Sequence, residues 1–127
     1  MKYLLDTHVL LWCLMDNKDL SPKVREKIRD ENNIIYVSAV STWEIVIKKA
    51  IGKLDIIDDF EFALIKSRFT LLPIQISHTL AVSKLPLIHG DPFDRLLVAQ
   101  CKIEGLTLIT QDKNIMKYDD ISILWSN

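Results

Sequence analysis

The chain has 127 residues, 49% of them hydrophobic, which suits one core and predicts a single domain over residues 1–127. With 16 basic and 17 acidic residues, the net charge of −1 neither supports nor excludes a nucleic-acid partner. Asp6 interrupts the start of the chain where a signal peptide needs an apolar core, and no apolar run approaches the ~20 residues of a membrane span. Cys13 and Cys101 lie far apart in apolar stretches, which favours free thiols and a cytoplasmic protein.

Short apolar runs alternate with segments of helical periodicity along the whole chain. The predicted strands are 3–5, 34–37, 70–74, 106–110 and 121–124. The predicted helices are 8–14, 22–30, 42–51, 59–67, 78–84 and 92–104. Because each parallel connection needs a crossover, this alternation predicts an α/β fold. We expect a three-layer α/β/α domain with a central, mainly parallel five-stranded sheet.

Four acidic residues lie where a predicted strand gives way to a helix or turn. Asp6 follows the first strand and Asp112 follows the fourth, while Glu44 and Asp94 lie in the first turns of two helices. The carboxyl ends of parallel strands line one edge of a sheet, so we expect the four side chains to converge. Two carboxylates about 4 Å apart repel by on the order of 4 kcal/mol at an effective dielectric near 20. A hard cation such as Mg²⁺ or Mn²⁺ would neutralise them, and without a His or Cys cluster Zn²⁺ is disfavoured.

A purely structural role is the alternative to a functional one for each of these acids, and the sequence supports it to different degrees. Glu44 ends the sequence Ser-Thr-Trp-Glu, which matches a capping box. Asp91 precedes Pro92 and is better explained as an N-cap, whereas the helix dipole alone is not enough to explain Asp94. Asp112 lies in a turn-forming sequence. Asp6 has no basic neighbour in sequence, so a functional role is favoured for it.

Cations and aromatic residues flank the predicted pocket. Arg95, beside Asp94, and Lys48, on the helix of Glu44, are the candidate contacts for substrate phosphates. Trp12 and Trp43 could stack on a base, although a role in the core is favoured by their apolar surroundings.

Four motifs in order closely resemble those of PIN-domain proteins, specifically the VapC-like toxin ribonucleases of bacterial toxin–antitoxin pairs. They are Leu5-Asp6-Thr7-His8-Val9-Leu10-Leu11-Trp12, Ser41-Thr42-Trp43-Glu44-Ile45, His89-Gly90-Asp91-Pro92-Phe93-Asp94-Arg95-Leu96-Leu97-Val98-Ala99-Gln100 and Leu108-Ile109-Thr110-Gln111-Asp112. Together they cover nearly the full chain.

The resemblance implies an endoribonuclease that uses Mg²⁺ or Mn²⁺ and hydrolyses RNA phosphodiesters. It assigns the catalytic and metal-binding carboxylates to Asp6, Glu44, Asp94 and Asp112. It gives supporting roles to three further residues, Thr7, Asp91 and Thr110, with Asp91 an alternative to Asp94 as ligand. It also implies a homodimer and a cognate antitoxin that inhibits the enzyme.

Two other classes of protein fit part of the pattern. A flavodoxin-like phosphoacceptor domain also has an Asp after its first strand and binds Mg²⁺. It would need a second acid near Asp6 and a Lys after the last strand, and the sequence has neither. The remaining alternative is a catalytically silent PIN scaffold that binds RNA or a partner.

Overall fold

A computed structural model describes residues 1–56 and 59–125 of the chain. The strands are β1 (Lys2–Leu5), β2 (Ile34–Ser38), β3 (Thr70–Leu72), β4 (Thr107–Thr110) and β5 (Ser122–Trp125). The helices are α1 (Thr7–Leu14), α2 (Pro22–Arg29), α3 (Ala39–Ala50), α4 (Phe60–Lys66), α5 (Ile76–Val82) and α6 (Pro92–Glu104). A single 3₁₀ turn, Ile115–Lys117, lies between β4 and β5.

The strands form one sheet in the order β3-β2-β1-β4-β5, and each described pair is parallel. This confirms the predicted α/β fold with a five-stranded sheet. A flavodoxin-like sheet would place β1 between β2 and β3, but here β3 pairs with β2, so that alternative is wrong. The strand order reverses between β1 and β4, and the crevice beyond the carboxyl ends of these two strands is where open α/β sheets bind ligands.

Two hydrophobic clusters cover the two faces of the sheet. Leu4 packs in the cluster that includes α5 and α6, while its neighbours Tyr3 and Leu5 pack in the cluster that includes α1 and α2. Successive residues of a strand point to opposite faces, so β1 contributes to both clusters and is buried on both sides. The helices therefore form a layer on each side, as the three-layer prediction requires.

Nearby residues explain why two strand or helix boundaries differ from those predicted. Strand β3 ends at Leu72 instead of residue 74 because Pro73 has no backbone N–H for the ladder. Helix α3 begins at Ala39 instead of Thr42, since the Ser38 side chain accepts a hydrogen bond from Val40 N and caps the helix earlier. None of the described helices is both long enough and apolar enough to cross a membrane.

Candidate active site

Asp6 lies between β1 and α1, at the point where the strand order reverses. Its backbone N–H donates to Ile109 O in β4, which fixes the residue against the neighbouring strand. Its Oδ1 accepts a hydrogen bond from Val9 N at 2.8 Å and caps α1. Its Oδ2 accepts a hydrogen bond from the Thr110 hydroxyl. Asp6 therefore has a structural role that the sequence reasoning missed, although both oxygens keep lone pairs that could bind a cation.

Burial dominates the electrostatics of Asp6, which is only 3% exposed. Loss of hydration raises its pKa, and the hydrogen bonds from Thr110 and Val9 oppose that change. His8, which is exposed, lowers the pKa of Asp6, while Asp112 raises it. The carboxylates after β1 and β4 are thus close enough to interact electrostatically.

Glu44 lies in the second turn of α3 and is 4% exposed. Thr7 Oγ1 donates a hydrogen bond to Glu44 Oε1 at 2.6 Å, and Lys48 Nζ pairs with Oε2. The capping-box explanation is wrong, because α3 starts at Ala39 and Glu44 is too far along the helix to reach the cap residue's N–H. Its side chain instead lies against the start of α1, which carries Thr7.

Asp91 and Asp94 have different surroundings although they lie in one turn. Asp91 Oδ1 accepts hydrogen bonds from Phe93 N at 2.9 Å and from Asp94 N at 3.1 Å, so it caps α6 as expected. The pKa of Asp94 is raised to about 8, first by burial and then by the charges of four other carboxylates. In order of decreasing effect these neighbours are Asp91, Asp112, Asp6 and Glu44.

Asp112 follows β4 and lies in a turn. Its Oδ1 accepts a hydrogen bond from Asn114 N at 2.7 Å, and its own N–H donates to Thr110 Oγ1 at 3.0 Å. Thr110 is fully buried and joins Asp6 and Asp112 through its single hydroxyl. The structure thus gives both threonines, Thr7 and Thr110, direct contacts with the acidic residues.

An open cavity of about 420 Å³ lies beside the carboxylates. Its lining residues are Asp6, His8, Trp12, Gln111, Asp112, Lys113 and Trp125. A slightly larger cavity of about 480 Å³, between α3, α4 and β3, is lined mainly by apolar side chains and by none of the four predicted site acids. The smaller cavity is the candidate active site because it is lined by Asp6 and Asp112, two of the carboxylates that interact with Asp94, while Asp94 and Glu44 lie outside its lining.

These residues suit a hard cation that keeps much of its water. Among residues 1–56 and 59–125, no three His, Cys, Asp or Glu side chains form a ready-made metal cage. Mg²⁺ is commonly held by one or two carboxylates while water and substrate phosphates fill the other positions, so it does not need such a cage. The clustered charge that raises the pKa of Asp94 is what a divalent cation would relieve.

The two predicted substrate contacts have different environments. Lys48 is partly exposed, pairs with Glu44, and has its pKa raised by that hydrogen bond first and then by the charges of Glu44, Asp91 and Asp94. Its ammonium therefore lies within the field of the acidic residues. Arg95 is 9% exposed, and its guanidinium donates to main-chain oxygens and a tyrosine hydroxyl. The structure gives Arg95 a structural role in place of the expected phosphate contact.

Three further residues lie near the acids. Trp43 is 54% exposed and packs edge-on against Phe93, with ring centroids 5.3 Å apart, so its expected role in the core is wrong. His8 is exposed and lines the cavity. His89 Nε2 lies 3.4 Å from Asp94 Oδ2, a contact with no signature in the sequence beyond its position five residues earlier.

Comparison with known proteins identifies the family of this chain. Residues 3–121 match the family model described as "PIN domain". A search of curated proteins finds no match.

Solved structures with similar folds include three from bacteria. VapBC2 from Rickettsia felis, bound to a DNA fragment from its promoter, has a TM-score of 0.74 at 17% identity, covering 98% of each chain. VapBC-1 from nontypeable Haemophilus influenzae has a TM-score of 0.68 at 21% identity, covering 98% of this chain and 97% of the other. A toxin–antitoxin complex from Klebsiella pneumoniae has a TM-score of 0.66 at 17% identity, covering 98% of each chain. At these identities the likeness concerns the fold, and the family model covers almost the whole sequence. The chain belongs to the PIN domain family.

Proposed function

We propose that this protein is an endoribonuclease that depends on Mg²⁺ or Mn²⁺ and is the toxin of a toxin–antitoxin pair. The observation that carries the proposal is the convergence of carboxylates on Asp94, whose pKa is raised by every other acid of the site. Gathering buried like charges destabilises a fold unless a counter-ion is bound, so such a cluster favours a cation site. The acids also lie at the crevice between β1 and β4, where this class of sheet binds ligands.

The PIN family supports the nuclease part of the proposal, since proteins of this family are nucleases. The toxin assignment is supported by the structural neighbours, which include a toxin–antitoxin complex. By the same likeness we propose a cognate antitoxin as protein partner. The homodimer that the family resemblance implies is also part of the proposal.

Asp6 and Asp94 would hold the principal cation, with Glu44 and Asp112 completing its surroundings or orienting the attacking water. When bound, a divalent cation supplies a more acidic water and stabilises the charge that develops at the phosphate. The protein's own contribution is to hold the carboxylates in place. The hydrogen bonds that Asp6 accepts from Val9 N and from the Thr110 hydroxyl fix its carboxylate, and the hydrogen bond from the Thr7 hydroxyl fixes that of Glu44.

Substrate RNA would need cations and flat surfaces near the acids. Lys48 and Lys113 are the candidate phosphate contacts, the first beside Glu44 and the second in the cavity wall. Trp12 lines the same cavity, and the exposed face of Trp43 offers a platform on which a base could stack. Single-stranded RNA suits this arrangement because its bases are free to stack on aromatic rings.

One observation favours a second candidate, a PIN scaffold that binds RNA without cleaving it. Within the described residues, no group of three potential ligands is preformed. A nuclease would then have to gather its ligands when the cation and substrate arrive.

Mapping the ends of RNA fragments distinguishes the two candidates. Purified protein is incubated with single-stranded RNA and Mg²⁺ or Mn²⁺, beside Asp6→Asn and, as matched control, Asp119→Asn, whose side chain is exposed after the 3₁₀ turn. A nuclease gives discrete fragment ends with the wild type and with Asp119→Asn, and none with Asp6→Asn or with chelator. RNA binding without fragments in all samples would support the scaffold and refute the nuclease.

A further inference from the structure

His89 lies between the acidic site and a buried tyrosine. Its Nδ1 is 3.2 Å from Tyr118 Oη, and the two rings pack edge-on with centroids 5.7 Å apart. Its Nε2 is 3.4 Å from Asp94 Oδ2, without the geometry of a hydrogen bond. Among the described residues, this nitrogen is the one buried side-chain polar atom that lacks a hydrogen-bond partner. A lone buried polar atom beside a carboxylate needs an explanation.

The network behind His89 begins at Arg95. Its Nη1 donates to Tyr118 Oη at 3.2 Å and to Pro86 O at 2.9 Å, and its Nη2 donates to Val82 O at 3.2 Å. A guanidinium has only donors, so the Tyr118 oxygen must accept in this pair. The hydroxyl proton of Tyr118 remains available, and because Tyr118 is 1% exposed that proton needs a protein acceptor.

This chain of donors fixes the tautomer of His89. Nδ1 is the atom that can accept the Tyr118 proton, so Nδ1 carries no hydrogen and Nε2 does. The other tautomer would leave the Tyr118 proton unpaired and, once Asp94 is ionised as metal binding requires, would point the Nε2 lone pair at a carboxylate oxygen. Both consequences are unfavourable in a buried site.

We propose that His89 is a positioning residue for Asp94, presenting an Nε2–H donor, oriented by Tyr118 and Arg95, to Asp94 Oδ2. The inference rests on the proposed metal site, in which Asp94 must be ionised and correctly turned. Carboxylates that bind metals are themselves held by hydrogen bonds from outside the metal's own shell. Such contacts are often long without the metal or substrate and shorten in the complex.

The proposal also explains why Arg95 lies behind the site. Its charge is placed on the far side of Tyr118, where it orients His89 through two hydrogen bonds. Three residues of this segment then act on the position of Asp94. His89 supplies a hydrogen-bond donor, Asp91 caps the helix, and Arg95 anchors the network.

The tautomer can be measured directly. Long-range ¹H–¹⁵N NMR of the Mg²⁺-loaded protein should show His89 with Nδ1 unprotonated and Nε2 protonated. Tyr118→Phe should remove that preference, whereas Tyr3→Phe, which alters a buried tyrosine whose hydroxyl contacts Met1, should preserve it. An Nδ1-protonated ring in the wild type, or no change with Tyr118→Phe, would overturn the proposal.

Metal affinity tests the effect on Asp94. We expect His89→Leu to weaken Mn²⁺ binding about tenfold or more in calorimetry. His89→Gln should recover most of that loss, because its amide nitrogen can reach the place of Nε2. Equal affinity of His89→Leu and the wild type would overturn the proposal, and so would an equal loss in His89→Leu and His89→Gln, since that would indicate packing alone.

These outcomes separate this inference from the proposed function. If the wild type itself fails to bind Mn²⁺, the metal site is refuted whatever the tautomer of His89. If the wild type binds Mn²⁺ and cleaves RNA while His89→Leu does both equally well, only the positioning role is refuted.

Discussion

The Thr110 hydroxyl donates to Asp6 Oδ2, joining residues that are 104 positions apart in sequence at the ends of adjacent strands. The same hydroxyl oxygen accepts from Asp112 N. One buried side chain therefore sets the relation between two carboxylates of the site. This relation depends on the pairing of β1 with β4, which is also what creates the crevice.

Removing that hydroxyl should weaken both the fold and the site. In Thr110→Val the shape is kept, but a buried Asp6 oxygen and Asp112 N lose a partner, so we expect a loss of about 1–3 kcal/mol in the free energy of unfolding. Urea unfolding at neutral pH measures it. Thr110→Ser keeps the hydroxyl and is the matched control. Equal stability of Thr110→Val and the wild type would show that the bond contributes little.

Asp94 should make the metal-free protein less stable as pH rises. Its pKa is about 8 in the folded protein and its ordinary value is 3.8, so between these values the folded state keeps a proton that the unfolded state has released. The free energy of unfolding then falls with rising pH, by at most about 1.4 kcal/mol per pH unit. The stabilisation that comes from this proton is fully present below the ordinary pKa of 3.8 and is fully lost once the pH is above the folded-state pKa of about 8.

Thermal unfolding across this pH range, in the presence of chelator, checks the sign. Asp94→Asn should flatten the profile and raise the melting temperature at neutral and alkaline pH. Millimolar Mn²⁺ should raise the melting temperature of the wild type and have a smaller effect on Asp6→Asn. Metal-free wild-type protein that becomes more stable with rising pH would contradict the assignment.

Substitution by Asn should have different effects on RNA cleavage at Asp91 and at Asp94. Asn caps a helix about as well as Asp, so Asp91→Asn should alter stability by no more than a few tenths of a kcal/mol and should keep most RNA cleavage. Asp94→Asn should abolish cleavage, because its carboxylate has no capping bond and lies among the other acids. Cleavage rates on one single-stranded RNA decide between them. Activity in Asp94→Asn with none in Asp91→Asn would exchange their roles.

Lys48 should affect RNA binding more than the chemical step. If its ammonium meets a phosphate, Lys48→Met should raise KM severalfold, lower kcat less, and reduce the salt dependence of binding by about one unit of slope. Loss of its pair with Glu44 should also lower the free energy of unfolding, because the buried Glu44 carboxylate would lose its cation. Lys84→Met changes an exposed lysine after α5 and is the control. An unchanged KM and salt slope in Lys48→Met would refute the phosphate contact.

The sequence by itself determined the elements and their order. Alternating apolar runs and helical periodicity predicted the five strands and six helices of the described residues to within a few residues, and the Asp91 cap was predicted correctly. These signals act over three or four residues, so they survive without knowledge of the fold. Strand-end positions were also enough to nominate the acidic residues, since parallel strands share one carboxyl edge.

The tertiary structure decided where side chains point. Glu44 contacts Thr7 from 37 residues away, although its local sequence resembles a cap. Arg95 turns towards Tyr118 and not towards the acids, and His89 approaches Asp94. Such choices depend on how α3 and α6 pack against neighbouring elements, because each side chain takes the buried partner that the fold brings within reach. Sequence periodicity carries no information about those distant partners.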